Sequence, residues 1–341
     1  PWQTPVDHVI ATPALSTSAA AQSEPQHTIE DRAARSLTDN AITAASQATQ
    51  AADTQKPACD AGVVCAELPP EETLGLDASS QQVSATPLLD PSLTFRLHSD
   101  PTASKVIYLD FDGHTTSGTS WNTSTMGSSF YSPAFDTDGN ATNFSASELA
   151  SIQQIWQRVA SDYAPFNVDV TTQAPPDDWL YKSSGTDANY GIRAVVTSYG
   201  PSSSGAGGIA FVSSFNSSQD TPAFVYNNTI VGAAEALSHE VGHTLGLSHD
   251  GTSLYEYYSG HGSGETGWAP IMGGSYNRSV TTWDDGTYTG SNNTGSTANY
   301  GKGADDLAVI TGYNGFGYKS DLIGNHMATA ASLIINGGNA A

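Results

Sequence analysis

The spacing of three histidines constrains this chain more than any other feature. They lie in the run His239-Glu240-Val241-Gly242-His243-Thr244-Leu245-Gly246-Leu247-Ser248-His249-Asp250. Residues four apart share one face of a helix, so His239 and His243 can present two imidazoles to a single ion. At about 100° per residue, Ala234, Leu237, Val241 and Leu245 gather in a narrow sector on the side away from the two histidines. The pattern predicts a helix over about 231–246 that packs an apolar stripe on a sheet and turns its histidines toward a cleft. His249 cannot join them if the helix continues, because it would lie about 9 Å beyond His243 along the axis. The chain must therefore turn sharply, and Gly246 permits this by tolerating positive φ at a helix stop. Three protein ligands leave a fourth position for water, the pattern of a catalytic rather than a structural metal site. Glu240 points about 100° away from His239. It need not coordinate, and its carboxylate can reach that water as a general base.

The same residues spell HExxHxxGxxH, which resembles the zinc-binding signature of the metzincin clan of metallopeptidases. Ala269-Pro270-Ile271-Met272-Gly273 resembles the Met-turn of that clan, with Met272 as its methionine. Asp250 directly after the third histidine, and Gly208-Ile209-Ala210-Phe211-Val212 upstream of the helix, are similar to the reprolysin (adamalysin) branch. The resemblance covers about 105–318 in outline, and its specific motifs cover far less. It implies a metzincin-type α/β sandwich: a twisted, mixed five-stranded sheet with covering helices, and a loop-rich C-terminal subdomain holding the Met-turn. It implies an endopeptidase with one catalytic Zn²⁺ on His239, His243 and His249. Protein or peptide substrate would be added as an antiparallel strand along the backbone of Ile209, Ala210, Phe211 and Val212. Two positions after Met272, where astacins and serralysins carry a tyrosine, this chain has Gly274, and the nearest tyrosine is Tyr276. The catalytic region has no cysteine, unlike the disulfide-rich animal reprolysins, which points to a bacterial, reprolysin-like secreted enzyme. A catalytically silent binding or adhesion module on the same scaffold is the rival reading, and the intact Glu240 argues against it. A zinc hydrolase acting on a non-peptide amide is a third.

Aromatic residues draw the first boundary. After Trp2 no Phe, Tyr or Trp occurs until Phe95, and the segment between is rich in Ala, Ser, Thr and Gln. Such a segment buries little apolar surface by itself. Residues 1–94 are therefore read as a pro-segment or leader with a short helix over 29–37, residues 95–320 as the catalytic domain. Cys59 and Cys65 fall in the first segment. Either they form a local disulfide, or one thiolate fills the open zinc position and keeps a zymogen silent. Within the second segment, 106–111 reads as a buried strand. Ser145 and Glu148 form a capping box, with Phe144 placed for a hydrophobic staple, ahead of a helix that Pro165 stops. Further strands are expected at 166–171, 192–198, 209–212 and 223–226, loops over 259–301, and a last helix from Asp305-Asp306. Asp136-Thr137-Asp138-Gly139-Asn140 is foremost a turn with solvated carboxylates and second a structural Ca²⁺ loop, since it lacks the spacing and final Glu of an EF-hand. Asp110 and Asp112 read first as a strand end and second as a cation site, His114 and His261 as loop residues. The run 321–330 resembles the opening of bacterial pre-peptidase C-terminal domains, so 321–341 is read as a linker or the start of a β-sandwich.

Composition excludes several other classes. Asp and Glu number 34 against 11 Lys and Arg, a formal net charge of -23. Nucleic-acid binding needs a basic stripe, and none is present. Acidic membrane surfaces would repel the chain, and no run of about 18 apolar residues forms a membrane-inserting helix. The scarcity of Lys, the small polar residues and the family resemblance point to a monomer secreted to the extracellular space.

Overall fold

The computed structural model describes residues 89–123, 125–201, 206–291 and 305–320, together with the backbone of 64–67, 335–336 and 339–340. These belong to one compact unit, Ser46–Ala341; a second unit, Pro1–Ala45, lies outside the described residues, and so does the helix expected at 29–37. The centre of the fold is β2, Lys105–Asp110, in which every residue is buried. A strand buried on both faces needs cover on both. Its neighbours are parallel: β5 (Asp169–Thr171) on one side and β6 (Tyr190–Val196) on the other. β8 (Ala223–Val225) continues the parallel set beyond β6. β7 (Gly208–Phe211) then runs antiparallel to β8. These five strands are the mixed sheet that the sequence implies.

A sixth strand was not expected. Val64–Glu67 (β1), from the segment read as a leader, pairs antiparallel with β7, giving the order β1-β7-β8-β6-β2-β5. Cys65 is on this strand with only its backbone described, and Cys59 lies outside the described residues.

Alternation along the strands sorts the core into two layers. Ile107, Leu109, Ile192, Ala194, Val196 and Ala210 join one cluster with side chains of both long helices. Those helices are α1 (Ala146–Asp162), which supplies Ile152, Ile155 and Val159, and α2 (Ile230–Thr244), which supplies Leu237 and Val241. Val195, Ile209 and Phe224 face the other way, onto Trp121 and Phe130. Phe130 belongs to β4 (Ser129–Ser132), which forms a hairpin-like pair with β3 (His114–Ser117). The pair β3–β4 covers the face opposite the helices.

Several local expectations hold. The Ser145 hydroxyl accepts from the Glu148 amide, and the Glu148 carboxylate accepts from the Ser145 amide at 2.8 Å, a complete capping box. Phe144, expected to staple the helix start, has its ring on Phe95 instead, with centroids 5.0 Å apart. The last helix, α3 (Asp306–Tyr313), is capped by Asp305.

Others are corrected. The strand expected from Phe166 begins only at Asp169, because Asn167 donates to Gly317 and Lys319 to Pro165, so the C-terminal chain takes that backbone. His114 is a strand residue rather than a loop residue, and burial pushes its pKa down to about 4. Asp110 does end β2, as expected, but it is buried there and pairs with Arg193 at 2.7 Å. The region 259–301 is not all loop: β9 (Trp268–Pro270) and β10 (Val280–Thr282) pair in parallel within it.

Candidate active site

Helix α2 starts at Thr229, whose hydroxyl accepts from the Gly232 amide at 3.1 Å. It stops at Thr244. Leu245 caps it, and Gly246 takes φ 103, the left-handed region that glycine enters without a Cβ clash. Asn314 donates to the Leu245 carbonyl at 2.9 Å, so one orphan acceptor of the helix end is satisfied by a side chain just after α3. The chain reverses here, and the Leu247 amide donates back to Gly242 at 3.1 Å.

The reversal brings His249 to the helix. Its Nε2 lies 3.1 Å from Nε2 of His243. His239, His243 and His249 together offer ring nitrogens that all lie within 4.8 Å of one another, and all three rings are buried. The far side of each ring is fixed by an acceptor. His239 Nδ1 meets the Ile271 carbonyl at 2.8 Å, His243 Nδ1 the Leu247 carbonyl at 2.8 Å, and His249 Nδ1 the Glu256 carboxylate at 2.7 Å. An acceptor at Nδ1 places the proton there and leaves the Nε2 lone pair directed inward. Burial, and then the neighbouring histidine, hold His239 and His243 well below the ordinary imidazole pKa, so both stay neutral. Three ring nitrogens gathered this closely, two of them on neutral rings, are a set of donors for one cation. The donor set therefore fits a divalent metal with nitrogen preference, and three imidazoles with oriented rings suit zinc.

The loop expected to be a Met-turn lies directly under this cluster. Met272 is fully buried, and its sulfur occupies the space beside Gly242, where a Cβ would come within 2.6 Å. The turn closes with the Gly273 amide donating to Pro270, and β10 supports it through Ile271 and Thr282. Its backbone does further work: Ile271 orients His239, and the Met272 carbonyl accepts from Asp250 at 2.8 Å. Tyr276, the nearest tyrosine to the turn, accepts from Asn227 at 3.0 Å.

Glu240 is fully buried on α2, next in sequence to His239. Gly208 lies against it so closely that a Cβ would stand 2.6 Å from its Oε1. Of the residues expected to bind substrate, Ile209, Ala210 and Phe211 lie on β7, and Val212 follows it. Phe211 packs on Trp121, with centroids 4.2 Å apart.

Sequence reasoning missed Glu256, the acceptor behind His249, and Tyr257, whose ring lies 4.1 Å from that of His249. Both come from a loop without periodicity, where an acid carries no local mark of its partner. A further acidic group, Asp136, Asp138 and Glu148, brings carboxylate oxygens within 4.8 Å of one another. Asp136 accepts from the amides of Asp138, Gly139 and Asn140, and Glu148 from those of Thr137 and Ser145. His261 is exposed and bridges to Trp268.

Residues 149–250 match the family model described as metallo-peptidase family M12B, reprolysin-like. The matched span begins in α1, takes in β5 to β8 and α2, and ends one residue past the third histidine. No curated protein and no solved structure matches the chain. The segment that builds the histidine cluster is thus similar to that of the reprolysin-like metallopeptidases, and its three histidines fit a zinc site of the form HExxHxxGxxH.

Proposed function

We propose that the chain is a secreted zinc endopeptidase, made as a zymogen, that cuts protein substrates laid along β7. His239, His243 and His249 would hold the ion. The observation that carries this reading is the convergence of three Nε2 atoms whose opposite ring nitrogens are each fixed by an acceptor. When bound, zinc would lower the pKa of a water to about 7 and polarise the scissile carbonyl.

The chain's own groups do the rest. Glu240 takes the proton of the attacking water and returns it to the leaving amine. Its burial excludes competing solvent, and the absence of a side chain at Gly208 lets a peptide backbone pass close to its carboxylate. The backbone of 209–212 orients the peptide as an added strand. Met272 fills the floor beneath α2 and keeps Ile271 in place behind His239. The loop around the Met-turn, between Gly267 and Tyr276, would form the wall of the specificity pocket. Asp136, Asp138 and Glu148, with carboxylate oxygens within 4.8 Å of one another, are the acids that would hold a structural Ca²⁺, apart from the histidine cluster.

The proposal assigns 1–94 to the pro-segment, 95–320 to a monomeric catalytic domain and 321–341 to a linker or further module. Among the described residues no helix is long and apolar enough to cross a membrane. Export is supported by the low Lys and Arg content of 11 residues beside 34 acids.

Digestion of casein by the chain after its pro-segment has been cut away, with and without a zinc chelator, tests the activity. Cleavage is expected to stop in chelator and to return with added Zn²⁺. Equal cleavage with and without chelator would remove the proposal.

A further inference from the structure

Strand β7 has two rows of backbone groups. One row pairs with β8 and the other with β1. In β1, Val64 stands opposite Phe211, Cys65 opposite Ala210, Ala66 opposite Ile209 and Glu67 opposite Gly208. Gly208 is the β7 residue that abuts Glu240. The β1 backbone therefore runs along the rim toward the proposed base, and its last residue lies opposite the position closest to that carboxylate.

A protein substrate added to this rim needs the same row of β7 amides and carbonyls, because β8 already holds the other. An edge accepts one strand at a time. β1 is also antiparallel to β7, the direction expected of a substrate. Being part of the same chain, it competes as an intramolecular ligand. Such ligands reach effective concentrations on the order of mM when the tether is short and flexible. A separate protein substrate has to displace this intramolecular competitor before it can pair with the rim.

We propose that Val64–Glu67 is a built-in pseudo-substrate, laid along β7 in the substrate's direction and keeping the intact chain latent by backbone pairing. This rests on the reading of β7 as the substrate rim. It places latency in a strand rather than in a thiol, and it implies that activation is whatever frees the rim of β1.

The test uses the full chain with single substitutions in β1. Proline has no N–H to donate. In an antiparallel pair, successive residues turn their N–H alternately toward the partner and away from it. One of Cys65→Pro and Ala66→Pro therefore removes a bond to β7 directly, and Cys65→Ser separates the thiol from the backbone. Two readouts are taken: hydrogen exchange of the amides at 208–211, and hydrolysis of a quenched peptide with zinc bound.

At least one proline variant is expected to show tenfold or faster exchange at 208–211 together with at least tenfold faster hydrolysis, while Cys65→Ser stays near the parent. Unchanged exchange in both proline variants overturns the proposal whatever the activity. So does a full gain of hydrolysis from Cys65→Ser alone, which would place latency in the thiol. If exchange rises and no form of the chain cuts any peptide, the strand still holds the rim, and it is the catalytic reading that fails.

Discussion

Glu240→Gln is expected to lower peptide turnover by about 10²–10⁴-fold while leaving the zinc content unchanged. The carboxylate and the amide have nearly the same shape, so the packing of Glu240 against Gly208 and the helix is preserved. What is lost is the acceptor for the proton of the attacking water, and the donor that protonates the leaving amine. The ligands are untouched, because Glu240 lies on α2 beside His239 without belonging to the cluster of ring nitrogens. The measurement is kcat on a quenched peptide, made on a form whose rim is free, alongside metal analysis of the same sample. Turnover equal to the parent would show that another group carries the proton. A silent variant that has also lost its zinc would show instead that Glu240 holds the metal.

Replacing Glu256 should have the next largest effect, and it acts on affinity. Glu256 accepts from His249 Nδ1 at 2.7 Å, with its side chain only 10% exposed. Such a partner fixes the tautomer and the ring orientation and raises the basicity of the coordinating nitrogen. Loss of comparable partners weakens metal binding by about 10–100-fold. Glu256→Ala is expected to fall in that range, measured by competition with a chromogenic zinc chelator. Glu256→Gln, which keeps an acceptor but not the charge, is expected to lie between it and the parent. At saturating zinc, kcat should recover in both variants, since neither touches the base. A deficit in kcat that saturating zinc does not repair would mean that Glu256 has a role in the reaction itself.

The parts of this molecule that were legible in the sequence are those set by local rules. His239 and His243 share a helical face because of their spacing alone. Gly246 marks the stop because its φ of 103 is one that few other residues adopt readily. The Ser145–Glu148 box and the buried run of β2 are likewise written within a few neighbouring residues.

What could not be read depends on distant partners. The first half of the strand expected from Phe166 is drawn off the sheet by the chain near Gly317 and Lys319. His114 titrates low because of where β3 packs, and nothing in its neighbouring sequence says so. Glu256 becomes part of the site only through the reversal after α2. β1 was hidden most fully: four residues in an aromatic-free segment carry little pattern, and their place is decided by an edge that lies far along the chain.

X-ray absorption at the zinc edge, on the full chain after zinc loading, tests the central claim most directly. The account predicts three imidazole nitrogens at about 2.0–2.1 Å, with the multiple scattering typical of histidine rings. It also predicts that His249→Ala removes one of them. A spectrum without imidazole scattering, or one that the loss of His249 leaves unaltered, would contradict it.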